Sequence, residues 1–146
     1  LSCQKASETI SSELNLIESI MWNHPASALA LLEKMPMPAS TDKLNHATWC
    51  LLYTQARDKN YMKHTSDSLI NIAINYFDTR KDWRRKAQAW FYKGQVLSDL
   101  GKEEDMISCY VKAKDMLIYL EDTQFASLVC WTLGNSYRYE KLYDNS

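Results

Sequence analysis

The chain has 146 residues, a formal net charge of −1, and only 3 Gly and 3 Pro. So balanced a charge speaks against nucleic-acid binding through this region, because gripping a phosphate backbone takes a concentrated excess of Lys and Arg. Hydrophobic residues at 46% exclude a largely disordered chain, and the scarcity of Gly and Pro favours helices joined by short connections.

The opening Leu1-Ser2-Cys3 resembles the end of a bacterial lipoprotein signal, in which a small residue precedes the cysteine that becomes lipidated. On that resemblance Cys3 is a membrane tether, residues 1–6 are a linker, and the domain sits in the cell envelope on the periplasmic side of a membrane. Without it the expectation is a cytoplasmic protein. One acyl chain anchors only marginally, so stable attachment takes two or more. No apolar run approaches the ~20 residues that a spanning helix needs.

Residues 7–22 are predicted to form a helix, with Ser7 as its cap and Ile10, Leu14, Ile17 and Met21 on one face. Asn23-His24-Pro25 interrupts it, and Pro25 suits the first turn of a second helix. Ala28, Leu31, Leu32 and Met35 share one side of that helix, which ends before Pro36 and Pro38. A third helix is expected over 43–58, with Leu44, Ala47, Leu51 and Ala56 facing inward beside Trp49 and Leu52. Thr65 or Ser66 can cap a fourth, which carries Leu69, Ile70, Ala73, Ile74 and Phe77 and ends near Arg80. Asp82 can cap a fifth over 83–100, and Gly101 suits the left-handed turn that follows. The sixth, over 103–120, opens with Glu103, Glu104 and Asp105, where the helix dipole favours acids. Asp122 or Thr123 opens a seventh that runs to about Lys141. The elements group as pairs 7–35, 43–80 and 83–121, with helix 123–141 unpaired.

The pattern repeats. Gly94 and Gly134 are 40 residues apart, as are Ala73 and Ala113, and Trp49, Trp90 and Trp131 recur every 41. Leu133-Gly134-Asn135-Ser136-Tyr137 matches L-G-x-x-Y. The fifth helix has Trp90, Gly94 and Leu97, with Lys93 where Leu is usual, and the third has Trp49 and Leu52 with Tyr53 in place of Gly. Tyr110, Ala113 and Ala73 fill the aromatic and small positions of second helices. On these residues 43–146 resemble the tetratricopeptide repeat family, with 7–42 as a divergent first pair. The resemblance implies an all-α fold, a right-handed α-α superhelix of about seven helices. In such pairs the Gly lets two helices cross closely while a ring fills the gap. A 40-residue unit is longer than the usual repeat of about 34, which implies a lengthened second helix and loop. Lys93 is expected to snorkel or point outward.

Chemistry has little support. No Gly-rich phosphate loop, G-x-S-x-G or H-E-x-x-H occurs, so no catalytic residue and no cofactor is expected. Cys3, Cys50, Cys109 and Cys130 have no zinc-ligand spacing. Cys50, Cys109 and Cys130 lie among apolar and aromatic neighbours and are expected to be buried thiols. His46 and Cys50, four residues apart, are too few ligands for a metal site. The basic run Arg80, Lys81, Arg84, Arg85 and Lys86 reads as a solvated loop and helix start.

The resemblance also implies a concave face lined by the first helix of each pair. That register nominates Thr54 and Arg57, then Gln88, Phe91, Gln95 and Ser98, then Leu128, Trp131, Asn135 and Arg138. The expected function is a non-catalytic interaction module for a peptide or partner domain. The alternatives are the sensory or regulatory input region of a larger membrane-associated signalling or transcription-regulating protein, and an enzyme accessory lipoprotein tethered through Cys3. A later helix packed on Leu128 and Trp131 is a competing use of that face.

Overall fold

The computed structural model describes residues 2–144. The periodic apolar positions become seven α-helices: α1 Ser2–Ile20, α2 Pro25–Lys34, α3 Lys43–Lys59, α4 Ser68–Phe77, α5 Trp83–Asp99, α6 Glu103–Asp115 and α7 Thr123–Asp144. A 3₁₀ turn, Leu117–Tyr119, follows α6. No strand occurs among the described residues, and the fold is all-α. None of the helices is long and apolar enough to cross a membrane.

Helix starts and stops follow the local chemistry. The Asp82 carboxylate accepts from the Arg85 amide at 3.2 Å and the Asp122 carboxylate from the Phe125 amide at 2.9 Å, so each satisfies an amide that the first helical turn leaves open. Pro25 occupies the first turn of α2. Gly101 takes φ 73°, the left-handed conformation that ends α5 and starts the reversal into α6.

Two apolar clusters hold the helices together. Leu14 and Ile17 of α1, with Met21 just after it, meet Ala28 and Leu32 of α2 and Trp49, Cys50, Leu52 and Ala56 of α3. Ala47 and Leu51, also of α3, belong to the second cluster, with Ile70, Ala73 and Phe77 of α4, Phe91, Tyr92 and Val96 of α5, Tyr110 of α6, and Phe125, Val129 and Leu133 of α7. Sequential helices touch, and α1 and α5 both also reach α3. Arg85 ties the start of α5 to the end of α1, with Nε and Nη2 donating to the two oxygens of Glu18 at 3.1 and 3.2 Å.

Several expectations are corrected. The first helix begins at Ser2 and ends at Ile20 rather than spanning 7–22, so residues 2–6 are helical, while residue 1 lies outside the described residues. Ser7 is consequently inside α1 and caps nothing; its hydroxyl donates to Asp42 at 2.8 Å, and Asn45 Nδ2 donates to the same carboxylate oxygen at 2.8 Å. Burial pushes the Asp42 carboxyl up, but these bonds together outweigh it and leave its pKa below the usual value. Leu44 is exposed. Helix α6 stops at Asp115 rather than at residue 120. Lys93 neither snorkels nor points away: its Nζ donates to Asp67 at 2.9 Å and also to Asn71, tying α5 to α4. Cys130 is exposed, whereas Cys50 and Cys109 are buried as expected. The basic run is drawn into internal contacts. Arg85 holds Glu18, Arg84 Nη2 lies 3.4 Å from Asp122, and Arg80 covers the Tyr76 ring at 3.6 Å.

Candidate binding groove

The crossing of α5 over α6 sets the geometry. A Cβ built on Gly94 would lie 2.3 Å from Tyr110 Cε1 and 2.6 Å from Cδ1, so the tyrosine ring occupies the space a side chain would need. The ring is held in turn by Phe91, 5.5 Å away between centroids, and its hydroxyl donates to Gln95 Oε1. Burial, reinforced by the negative charge of Asp58, keeps the Tyr110 phenol above its ordinary pKa and therefore a donor. Gln95 Nε2 donates to the Asp58 carboxylate at 3.2 Å, and Asp58 lies 3.4 Å from Nε2 of buried His64. The His64 amide donates to Asp99 at 2.8 Å. Polar contacts thus run from α6 through α5 to α3 and the loop before α4.

Two hollows lie along this network. The larger, about 500 Å³, opens between α5, α6 and α7. Gln95, Ser98, Leu128, Trp131 and Asn135 line it, so half of the nominated residues converge there. The smaller, about 230 Å³, is lined by Thr54, Arg57 and His64 among others. Thr54 is buried, and its hydroxyl already donates to the Cys50 carbonyl at 2.8 Å. Arg57 Nη2 donates to the Lys63 carbonyl at 3.2 Å and leaves the guanidinium partly exposed.

The other nominated positions are corrected. Gln88 and Phe91 are 1% and 0% exposed and cannot meet a ligand. Phe91 packs edge-to-face on Phe125 of α7 at 5.8 Å and against the Tyr110 ring of α6 at 5.5 Å, so neighbouring rings occupy the side of α5 that the register leaves open. Arg138 is exposed but lines neither hollow. Cys3 is exposed on the first turn of α1.

Sequence reasoning missed the other half of the groove. Met106 and Tyr110 of α6, Tyr139 of α7, and the acids Glu103 and Glu140 line it too. A signal existed, since Leu128, Thr132, Asn135 and Tyr139 recur at spacings of 4, 3 and 4 on one face of α7. Glu103 already had a local explanation at the start of α6, which hid its second position. Among the described residues no group of three or more His, Cys, Asp or Glu is arranged to hold a metal ion.

No family model matches this chain, and no curated protein or solved structure matches it.

Proposed function

We propose that the chain is a non-catalytic interaction module, a tetratricopeptide-like solenoid of helix pairs. Its groove between α5, α6 and α7 takes an extended peptide or the edge of a partner domain. The observation that carries this reading is the convergence of α5 and α7 residues from corresponding parts of the 40-residue repeat on one hollow of about 500 Å³. Trp131 is 69% exposed at its edge, an aromatic surface of the kind that anchors binding partners. The Ser98 and Asn135 side chains have no hydrogen-bond partner within the described residues, which leaves them available to a peptide backbone. Gln95, held by Tyr110 and Asp58, positions the wall instead.

The test is selection of short random peptides on the intact protein, followed by affinity measurement against wild type and a Trp131→Ala/Asn135→Ala variant. Selected peptides should lose about tenfold or more in affinity, about 1.4 kcal/mol. Failure to select any ligand, or equal binding to both proteins, would sink the proposal.

A further inference from the structure

We infer that the smaller hollow, between α3 and the loop before α4, is a binding site for a phosphate group that carries a proton. It shares no lining residue with the larger groove, so the inference goes beyond the peptide-binding reading and stands apart from it.

Three observations carry it. The first is an arginine fixed in place with its charge unmatched. Arg57 Nη2 donates to the Lys63 carbonyl at 3.2 Å, which holds the guanidinium against the loop. No carboxylate lies within ion-pair distance of it among the described residues, whereas Arg84 and Arg85 each reach one. Its Nε and Nη1 donate to nothing within the described residues. Neither Asp nor Glu lines the hollow. A guanidinium fork with donors to spare in an acid-free hollow is matched by an oxyanion.

The second is His64, which lines the hollow and is 4% exposed. The bonds around it fix its proton. The Tyr110 hydroxyl donates to Gln95 Oε1, so the Gln95 amide turns its Nε2 to Asp58. Asp58 is therefore an acceptor, and His64 Nε2, which faces it at 3.4 Å, is the ring nitrogen that carries hydrogen. Nδ1 has no partner among the described residues and is not sealed from solvent, so it opens on the hollow as a lone pair in need of a donor.

The third is placement. Arg57 and Asp58 are consecutive on α3, and so are Lys63 and His64 on the loop. The Arg57–Lys63 and Asp58–His64 contacts clamp that loop onto one turn of the helix. The guanidinium and the imidazole thereby share a space of about 230 Å³, below the ~300 Å³ at which drug-sized sites begin. Thr65, whose hydroxyl bonds to nothing within the described residues, lines the same space.

These groups call for an anion that offers several oxygens and also a hydrogen. A carboxylate has its oxygens taken by the arginine fork and no hydrogen left for Nδ1. Sulfate has the oxygens but no hydrogen at neutral pH. Hydrogen phosphate has both: oxygens for Arg57 and the Thr65 hydroxyl, and a P–O–H that donates to His64 Nδ1.

The test is calorimetric titration of the intact chain at neutral pH with inorganic phosphate, sulfate, acetate and methyl phosphate. Inorganic phosphate should saturate with a Kd of about 1 mM or lower, and sulfate and acetate should bind at least about tenfold more weakly. Arg57→Gln should weaken phosphate at least about tenfold. Arg57 makes one hydrogen bond within the described residues, so that variant should keep the helical circular dichroism of wild type. A second readout needs no change at the site. The Nδ1 resonance of His64 in chain with isotope-labelled histidine, identified with His24→Gln and His46→Gln variants that remove the other two rings, should move with phosphate and stay put with sulfate. Methyl phosphate that binds as well as phosphate supports a site for phosphate esters, and weaker binding supports a site for the free ion. No saturable phosphate binding overturns the inference. So does sulfate or acetate binding as tightly as phosphate, an Arg57→Gln chain with unchanged affinity, or a His64 Nδ1 resonance unmoved at saturation.

Discussion

Gly94 and Gly134 occupy equivalent places in the repeat, yet replacing them with alanine should have opposite effects. At Gly94 the new methyl would sit 2.3 Å from a tyrosine carbon, at least an ångström inside the ~3.5 Å at which carbon atoms pack comfortably. Tyr110 cannot simply swing away, because it is buried, lies against Phe91 and is hydrogen-bonded to Gln95. Overpacking of this kind costs about 1–3 kcal/mol, and alanine returns up to about 1 kcal/mol of helix propensity. The expected net loss for Gly94→Ala is about 1–2 kcal/mol, or roughly 2–8 °C in Tm for a chain of this length. At Gly134 a Cβ meets nothing within 4 Å, so only the propensity gain remains and Gly134→Ala should stabilise by up to about 1 kcal/mol. Urea denaturation followed by helical circular dichroism measures both. Tyr110→Ala provides the internal control, since in that background Gly94→Ala should become neutral or stabilising. A Gly94→Ala protein as stable as wild type, or a Gly94→Ala penalty that survives removal of the Tyr110 ring, would refute the packing argument.

Phe91→Ala should cost about 3–5 kcal/mol because the ring is fully buried, whereas Trp131→Ala should leave stability within about 0.5 kcal/mol; thermal melts of the two separate core from surface. Under native conditions a maleimide should label Cys3 and Cys130 and spare Cys50 and Cys109, with four labels after denaturation, as counted by mass spectrometry. Burial pushes the Cys50 thiol up to about 12 and raises Cys109 as well, so neither offers thiolate at neutral pH. The bond from Lys93 foremost holds the Asp67 carboxyl below its unfolded value of 3.8. The ionised form therefore contributes fully above that pH and loses its contribution as pH falls through the lower folded value. Asp67→Asn should destabilise by about 1 kcal/mol at pH 7, with the gap to wild type closing below about pH 4 in denaturation curves; a gap that widens in acid would contradict the assignment.

Helix existence was legible because apolar residues such as Ile10, Leu14, Ile17 and Met21 keep a helical period. The Gly94–Tyr110 contact was legible in outline because the repeat paired a bare backbone position with a ring. The start of α1 was not, since Ser2 to Ala6 carry no apolar period; beside that stretch the hydroxyls of Ser7 and Ser11 reach Asp42 and Asn45, more than 30 residues on. Lys93 looked misplaced because its partner Asp67 lies 26 residues away. The groove was half legible for one physical reason. A register tells which way a side chain points from its own helix, so Gln95, Ser98, Leu128, Trp131 and Asn135 were placed together. It does not tell how many helices close over that direction. Phe91 was therefore nominated although rings of α6 and α7 cover it, and Cys130 was assigned to the core although it is exposed.

Because α3 supplies residues to both apolar clusters, the molecule should open from its ends inward. Detaching α1 and α2 disrupts one cluster and detaching α7 disrupts the other, but α3 cannot leave without dissolving both. Amide hydrogen exchange should then be slowest in α3 and fastest toward the end of α7, where every residue from Tyr137 to Asp144 is exposed. The groove consequently pairs a firm wall, α5 locked to α4 and α6, with a yielding one. A ligand that bridges them would register first as slowed exchange in α7, so the most mobile wall is the one that reports occupancy.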